Sequence, residues 1–312
     1  MSSAEASRLL RFRGHAYFRQ RLILATLAGR PVRIDQIRPD DEEPGLRDFE
    51  VSFLRLLEKI TNGSAVEISY TGTSVYFQPG IVYGGSIVHE CPTSRGVGYF
   101  LEYMVIIAPF AKQEVALTLR GITNGHGDLG ADTIRTVTIP HLALCLPLDS
   151  VSMLASSLEM RIVKRGAAPL GGGEIFFRAP LIATLRPLNF VEPGRIRKIR
   201  GIASAVRVSP QMSNRMIDAA RSVLNRYIPD LYLFSDVYRG DESGKSPGFA
   251  MSLVATSTTG AMHASETTSL PGQTPEDVGL LTARSLLASI ESGGCVDAMH
   301  QPLILILMAL GP

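Results

Sequence analysis

The residues from Lys164 to Glu174 read Lys-Arg-Gly-Ala-Ala-Pro-Leu-Gly-Gly-Gly-Glu. A proline closely followed by three glycines does not suit a strand interior; the backbone there must turn sharply or lie very close to another group. Successive amides in such a turn can form an anion-binding concavity, here with Gly171, Gly172 and Gly173 in the turn and Arg165 at its edge. The same residues also suit an ordinary hairpin loop between two strands, and the glycines alone leave both readings open. A second basic stretch places Arg195, Arg197 and Arg200, together with Lys198, on and beside one strand. It is either a solvated sheet face or an electrostatic contact for RNA phosphates or an acidic partner.

Other candidates carry less. The segment Gly240-Asp241-Glu242-Ser243-Gly244-Lys245-Ser246 nearly spells a phosphate-binding P-loop. That motif needs four residues between its first glycine and the Gly-Lys pair, and three are present, so it reads as a polar loop. Six histidines are scattered, none at metal-ligand spacing from another His, Cys or carboxylate. In His89-Glu90-Cys91 the neighbours alternate faces on a strand, which makes a poor metal cluster. No metal site, no cofactor and no catalytic residue is assigned.

These residues need a scaffold, and 312 of them suffice for two domains or one large domain with an insertion. Hydrophobic content of 45% beside 19% charged residues describes an ordered, soluble chain. A net charge of +2 argues against a strongly nucleic-acid-seeking surface while allowing local basic patches. Three cysteines, far apart and odd in number, exclude a disulfide framework and fit a reducing compartment. The first twenty residues hold several arginines and no apolar run, so no signal peptide is expected. Leu303 to Leu310 is too short to span a bilayer. A nuclear or cytosolic protein without a membrane partner is the expectation.

The pattern predicts a short strand within residues 1–15 carrying Arg8, Arg11 and Arg13, then a helix over 16–28 closed by Gly29. A strand at 32–37, a helix from Phe49 to Ile60 and strands at 65–70, 74–78 and 81–88 follow. Helices at 97–109 and 129–145, a strand at 114–120 and strands around the glycine loop repeat the scheme. A helix pair at 275–291 and 297–310 closes it, with Thr274 as N-cap and Pro275 at N1. The fold class is α+β: three sheet-plus-two-helices units of roughly 90–100 residues in a large domain. Residues 185–267 interrupt them as a small inserted α+β domain, with strands at 196–206, 230–238 and 248–257 and a helix at 210–226. The boundaries are 1–184, 185–267 and 268–312.

Several stretches together resemble the RNA 3′-terminal phosphate cyclase family. They are Gly29-Arg30-Pro31; Ile37-Arg38 leading to Pro44-Gly45-Leu46; Arg165-Gly166 through Gly173; Gly244-Lys245-Ser246-Pro247-Gly248; and Gly293-Gly294-Cys295-Val296-Asp297. The resemblance runs in order over nearly the whole chain, and the family carries an inserted small domain. It implies an ATP-dependent cyclase that adenylates a histidine and closes a 2′,3′-cyclic phosphate on RNA. The chain departs from that pattern where chemistry would occur. Phe12 stands for an acid, Ala16 for a glutamine, Asp41 for a second arginine, Phe49-Glu50 for Gln-His, and Pro302-Leu303 for Asp-Gln. The family's nucleophilic histidine lies downstream of that last helix, beyond Pro312. Arg19 matches.

The departures resemble a cyclase-like, non-catalytic nucleolar branch of the family, to which Phe18-Arg19-Gln20-Arg21-Leu22, Gly121-Ile122-Thr123-Asn124 and His300-Gln301 are similar. That branch implies a pseudoenzyme in small-subunit ribosome biogenesis, located in the nucleus and nucleolus. Its implied partners are a nucleolar ribosome-assembly GTPase and the small-subunit precursor particle with its RNA. Members run longer, so further residues beyond Pro312 are expected. A vestigial anion-binding cleft of Arg19, Arg165, Gly171, Gly172 and Gly173 follows from the resemblance, and Arg195, Arg197 and Arg200 are the candidate partner or RNA contacts. The alternative is an active RNA-processing enzyme: a residual cyclase, or an endoribonuclease using Asp128, Asp132 or Asp297.

Overall fold

The computed structural model describes residues 9–147 and 158–311. Arg8, expected in the first strand, lies outside the described residues. The fold is α+β and is built on three four-stranded sheets.

The first unit runs β1 (Leu10–Arg13), α1 (Phe18–Ala28), β2 (Val32–Asp35), α2 (Asp48–Ile60), β3 (Ala65–Ile68) and β4 (Val75–Gln78). Gly29, at φ 62°, ends α1 in the left-handed conformation that glycine adopts without strain. The sheet order is β1-β2-β4-β3, with β1 and β2 parallel and the remaining pairs antiparallel.

The second unit repeats this connectivity: β5 (Gly85–Glu90), α3 (Val97–Ile107), β6 (Val115–Gly121), α4, β7 (Glu159–Lys164) and β8 (Gly173–Ala179). Here α4 denotes the successive turns Ala131–Thr133, Ile134–Thr138 and Ile139–Cys145, the middle one wound as a π-helix. The order β5-β6-β8-β7 reproduces that of the first sheet, again with one parallel pair.

The third sheet differs. Its elements are β9 (Ile196–Val206), α5 (Gln211–Leu224), β10 (Leu231–Tyr238), β11 (Gly248–Ser257), β12 (Met262–Thr268) and α6 (Pro275–Ser292). The order is β10-β9-β11-β12, so the strand that opens the unit is interior and β10 lies at an edge. Strand β12 was missed in the sequence because its burial alternates weakly through polar residues, Met-His-Ala-Ser-Glu-Thr-Thr.

Two cores explain these divisions. One is shared by the first two units and contains Phe53, Leu57, Phe77, Phe100, Leu117 and Phe177. The other lies between the third sheet and the helices α5 and α6, joining Ile199, Leu253, Met216 and Leu224 to Val278 and Leu286. The helix pair expected near the end therefore separates. Helix α6 packs on the third sheet, beyond the boundary placed at 267, whereas α7 (Gln301–Leu310) sends Leu303, Ile306 and Leu307 into the first core. Thr274 caps α6 as expected, its hydroxyl accepting from the Asp277 amide at 3.2 Å. Among the described residues no helix is long and apolar enough to cross a membrane.

Four histidines are buried: His89, His141, His263 and His300. Burial lowers the pKa of His89 to about 4, with the charges of Lys59 and Arg55 adding to it, and burial likewise lowers His141 to about 4. Below the ordinary value of 6.5 the unfolded chain takes up these protons more readily than the folded one, so stability falls as pH drops from 6.5 towards 4. Each imidazole steepens that fall by up to ~1.4 kcal/mol per pH unit. His141→Leu should flatten the profile of urea midpoint against pH in this window; a slope identical to that of the unsubstituted protein would contradict burial of a neutral imidazole.

Candidate functional site

The glycine loop is a backbone joint. Gly171 and Gly172 have φ of 62° and 84°, and the loop lies directly on the segment Ser243–Ser246 of the third unit. The Gly244 amide donates to the Arg165 carbonyl at 2.6 Å, and the Lys245 amide to the Gly171 carbonyl at 2.9 Å. The Leu170 amide donates to Ser246 Oγ at 3.0 Å, the Gly171 amide to the Ala167 carbonyl at 2.9 Å, and the Gly166 amide to Thr123 Oγ1 at 3.2 Å. The amides of Gly166, Leu170 and Gly171 are thus satisfied by protein.

Arg165 is equally committed, and only 1% exposed. Its guanidinium makes a two-pronged pair with Asp132 of α4, Nη1 to Oδ2 at 2.7 Å and Nη2 to Oδ1 at 2.8 Å. It also reaches Asp236 of β10, Nε at 3.0 Å and Nη2 at 2.6 Å from Oδ2. Burial alone would lower its pKa; Asp132, then Asp236, outweigh burial and raise it.

Arg19 stands elsewhere. It lines a cleft of about 430 Å³ together with Arg38, Arg95, Phe49, Tyr99 and Tyr103. The expected grouping of Arg19 with Arg165 and Gly171–Gly173 is therefore corrected: Arg165 is sealed inside, and Gly172 and Gly173 line a different cleft beside Lys164, Arg120 and Lys245. Charge pairs separated by 33 and 71 residues, as in Arg165–Asp132 and Arg165–Asp236, leave no trace in local patterning.

Each arginine of the Arg19 cleft meets a carboxylate. Arg19 donates from Nη1 to Glu102 Oε2 at 2.9 Å and to the Tyr99 carbonyl at 2.6 Å, and its guanidinium lies 4.0 Å from the Tyr99 ring centroid and 4.6 Å from that of Tyr103. Arg38 pairs with Glu50 at 2.7 and 2.9 Å. Arg95 pairs with Asp128, Nε to Oδ2 at 2.9 Å, over the rings of Phe49 and Tyr99. Burial raises the pKa of Glu102 against the opposing pull of Arg19, while the Glu50 hydrogen bond raises that of Arg38. The acid at position 41 pairs with Arg47 at 3.2 Å and adds its field at Arg38.

Sequence reasoning did not single out Arg95, Glu102 or Tyr99 as site residues. A signal for Glu102 existed: it is the one charged residue in the otherwise apolar helix Val97–Ile107. A second, larger cleft of about 560 Å³ shares Arg19 and is lined by Glu102, Asp128 and Glu266. Glu266, whose pKa is raised by burial, accepts from Thr133 Oγ1 at 2.6 Å and the Gly130 amide at 2.8 Å.

The acids of the ribonuclease alternative are likewise engaged. Asp128 holds Arg95, and Asp132 holds Arg165 and, at 3.3 Å, Arg135. Asp297 Oδ1 lies 2.7 Å from His300 Nδ1, and His300 Nε2 lies 3.0 Å from Thr138 Oγ1. That is the order of a hydrolase triad, but Asp297, His300 and Thr138 are 3%, 1% and 0% exposed, so no substrate reaches the hydroxyl. Burial pushes the Asp297 pKa up, and the His300 hydrogen bond and charge outweigh it to leave the pKa lowered. Among the described residues no group of three or more His, Cys, Asp or Glu could hold a metal ion. Of the candidate contacts, Arg200 pairs with Asp230 at 2.8 Å, while Arg195 and Arg197 are exposed.

Removing one partner of the buried knot should be severe. Arg165→Met leaves Asp132 without its bidentate cation and should destabilise the protein by about 3–5 kcal/mol in urea denaturation, with partial recovery on adding Asp132→Asn. A loss below about 1 kcal/mol would show that the pair is dispensable. Gly244→Ala tests the joint. A Cβ there would overlap the Gly171 carbonyl oxygen and approach Gly166 Cα to 2.8 Å, whereas one at Gly240 meets nothing within 4 Å and carries only the strain of that residue's φ of 58°. Gly244→Ala should lower the melting temperature more than Gly240→Ala; equal shifts would contradict the close approach.

The family model described as RNA 3′-terminal phosphate cyclase matches residues 10–312. A relative in Bos taurus, an RNA 3′-terminal phosphate cyclase-like protein, is 48% identical over 99% of this chain and 82% of its own length. An rRNA processing protein of Schizosaccharomyces pombe is 50% identical over 94% of this chain and 80% of its own, and one of Saccharomyces cerevisiae is 40% identical over 99% and 83%. On this match and these identities, the chain belongs to the RNA 3′-terminal phosphate cyclase family.

Proposed function

We propose that this chain is a non-catalytic member of the family that serves small-subunit ribosome biogenesis. It acts on precursor rRNA in the nucleolus and associates with a ribosome-assembly GTPase. The names of the two yeast relatives support the rRNA-processing part of this reading. The observation that carries the non-catalytic part is the pairing of all three cleft arginines: Arg19 with Glu102, Arg38 with Glu50 and Arg95 with Asp128.

A site that transfers an adenylate must keep cations free to meet a triphosphate as its charge moves. Here a polyphosphate would have to displace buried carboxylates from their partners, and the displaced Glu50, with its side chain 3% exposed, would be left unpaired. Arg19, stacked between Tyr99 and Tyr103, remains as the cation of a vestigial anion subsite that turns nothing over.

The test is incubation with labelled ATP and magnesium, with and without 3′-phosphorylated RNA, beside an active cyclase. The expected outcome is no covalent adenylate and no cyclised ends, together with association with precursor particles through the GTPase. Adenylated protein would overturn the reading and return the chain to the enzymes.

A further inference from the structure

The third sheet has two unlike faces. One is packed by α5 and α6 through Ile199, Ala203, Leu233 and Leu253. Alternation puts Lys198, Arg200 and Ile202 of β9, Tyr232 and Phe234 of β10, and Ser252 and Val254 of β11 on the other. Helix α4 covers the β11–β12 half of that second face, where Val137 meets Val254 and Ala264. Among the described residues the β9–β10 half is left open.

That open half has a definite composition. Tyr232 and Phe234 are 56% and 51% exposed, and their ring centroids lie 4.6 Å apart. In the register of the sheet Arg200 stands beside Tyr232 and Ile202 beside Phe234. A cleft of about 300 Å³, floored by Gly201, Ile202 and Val254 and edged by Lys198, Arg200 and Phe234, lies alongside. The carboxylates near it are Asp230, which pairs with Arg200, and Asp236, which is held by Arg165. Arg135, paired with Asp132, lies toward Tyr238 at the far end of β10. The Asp230 carboxyl is held below its ordinary range first by Arg200, then by the fields of Lys198 and Arg197.

We propose that this half-face of the third sheet is a single-stranded RNA platform, with unpaired bases stacking on Tyr232 and Phe234 and phosphates held by Arg200 and Lys198. The charge selects the occupant. Lys198 and Arg200, beside one exposed carboxylate, repel a basic peptide and attract a polyanion, and the exposed Asp230 returns to water when a phosphate takes its place at Arg200. Exposed aromatic rings on a sheet, set among cations, hold bases whatever their sequence because every base presents a stacking face. The inference rests on the reading of this chain as an rRNA-associated factor and supplies the RNA contact that reading lacks. It also shifts the contact from Arg195, Arg197 and Arg200 alone to Arg200 with the two aromatic rings.

Fluorescence anisotropy of the purified protein with a labelled single-stranded RNA of mixed sequence, and with the same strand annealed to its complement, tests it. The single strand should bind more tightly than the duplex. Tyr232→Ala with Phe234→Ala should weaken binding by roughly 10-fold or more at unchanged melting temperature. Arg200→Gln should reduce the slope of log affinity against log salt by about 0.7, and Asp230→Asn should tighten binding. Unchanged affinity in the double aromatic variant overturns the proposal, as does equal binding of duplex. So does RNA-independent dimerisation that depends on Phe234, which would give the face to a second copy. A protein that binds no RNA yet still sediments with precursor particles overturns this inference and leaves the biogenesis reading standing.

Discussion

The buried knot of Arg165 with Asp132 and Asp236 is the constraint on which the arrangement of the two cores depends. Arg165 follows the last residue of β7, Asp132 lies in the first turn of α4 and Asp236 in β10, so one guanidinium ties the second unit to the third. The backbone around it does the same work, since the Arg165 amide and carbonyl bond to Glu242 and Gly244 on the far side of the joint. A charge placed there without partners would cost several kcal/mol, so the two units dock only in the register that brings both carboxylates to it. The glycines have a matching role. A side chain at Gly244 would meet the Gly171 and Arg165 carbonyl oxygens and hold the two backbones apart, while one at Gly166 or Gly173 would clash within the second unit's own turn.

With Arg165 taken as a strut, the Arg19 cleft stands on its own. Its walls come from α1, α2 and α3 and from the loops that carry Arg38 and Arg95, all within the first core. Aromatic rings hold the cations in place: Tyr99 lies against both Arg19 and Arg95, and Phe49 against Arg95 and Tyr99. Such stacking fixes a guanidinium's plane and leaves its edges for carboxylates, which occupy them here. The cleft is consequently nearly neutral in charge although rich in arginine.

Much of this was legible in the sequence where the signal is local. Gly29 and Thr274 mark helix ends through backbone conformation and a capping hydroxyl, and both act as read. Alternation located β9 and β11, and helical spacing located α2 and α5. Pairing over distance was not legible. Nothing near Arg165 announces Asp236, and nothing in the apolar run of α6 says that it docks on the third sheet and not on the first core. The glycine run was read as a place of close backbone approach, and the group that approaches it is Gly244 of the same chain. Arg200, read as one charge among several, acquires its meaning only beside Tyr232, thirty-two residues of chain away across one pair of strands.

The paired cleft also bears on how a family scaffold can exist without a ligand. An enzyme whose substrate brings phosphates can leave cations waiting, because the substrate compensates them during each turnover and solvent does so in between. A protein that keeps those arginines without such a ligand must satisfy them internally, or carry the desolvation of unpaired charge in its resting state. Glu50 and Glu102 supply that compensation here, and the acid at 41 is turned aside to Arg47. The carboxylates therefore do two things at once. They stabilise the fold around the arginines and, on the non-catalytic reading proposed above, they close the cleft to a polyphosphate.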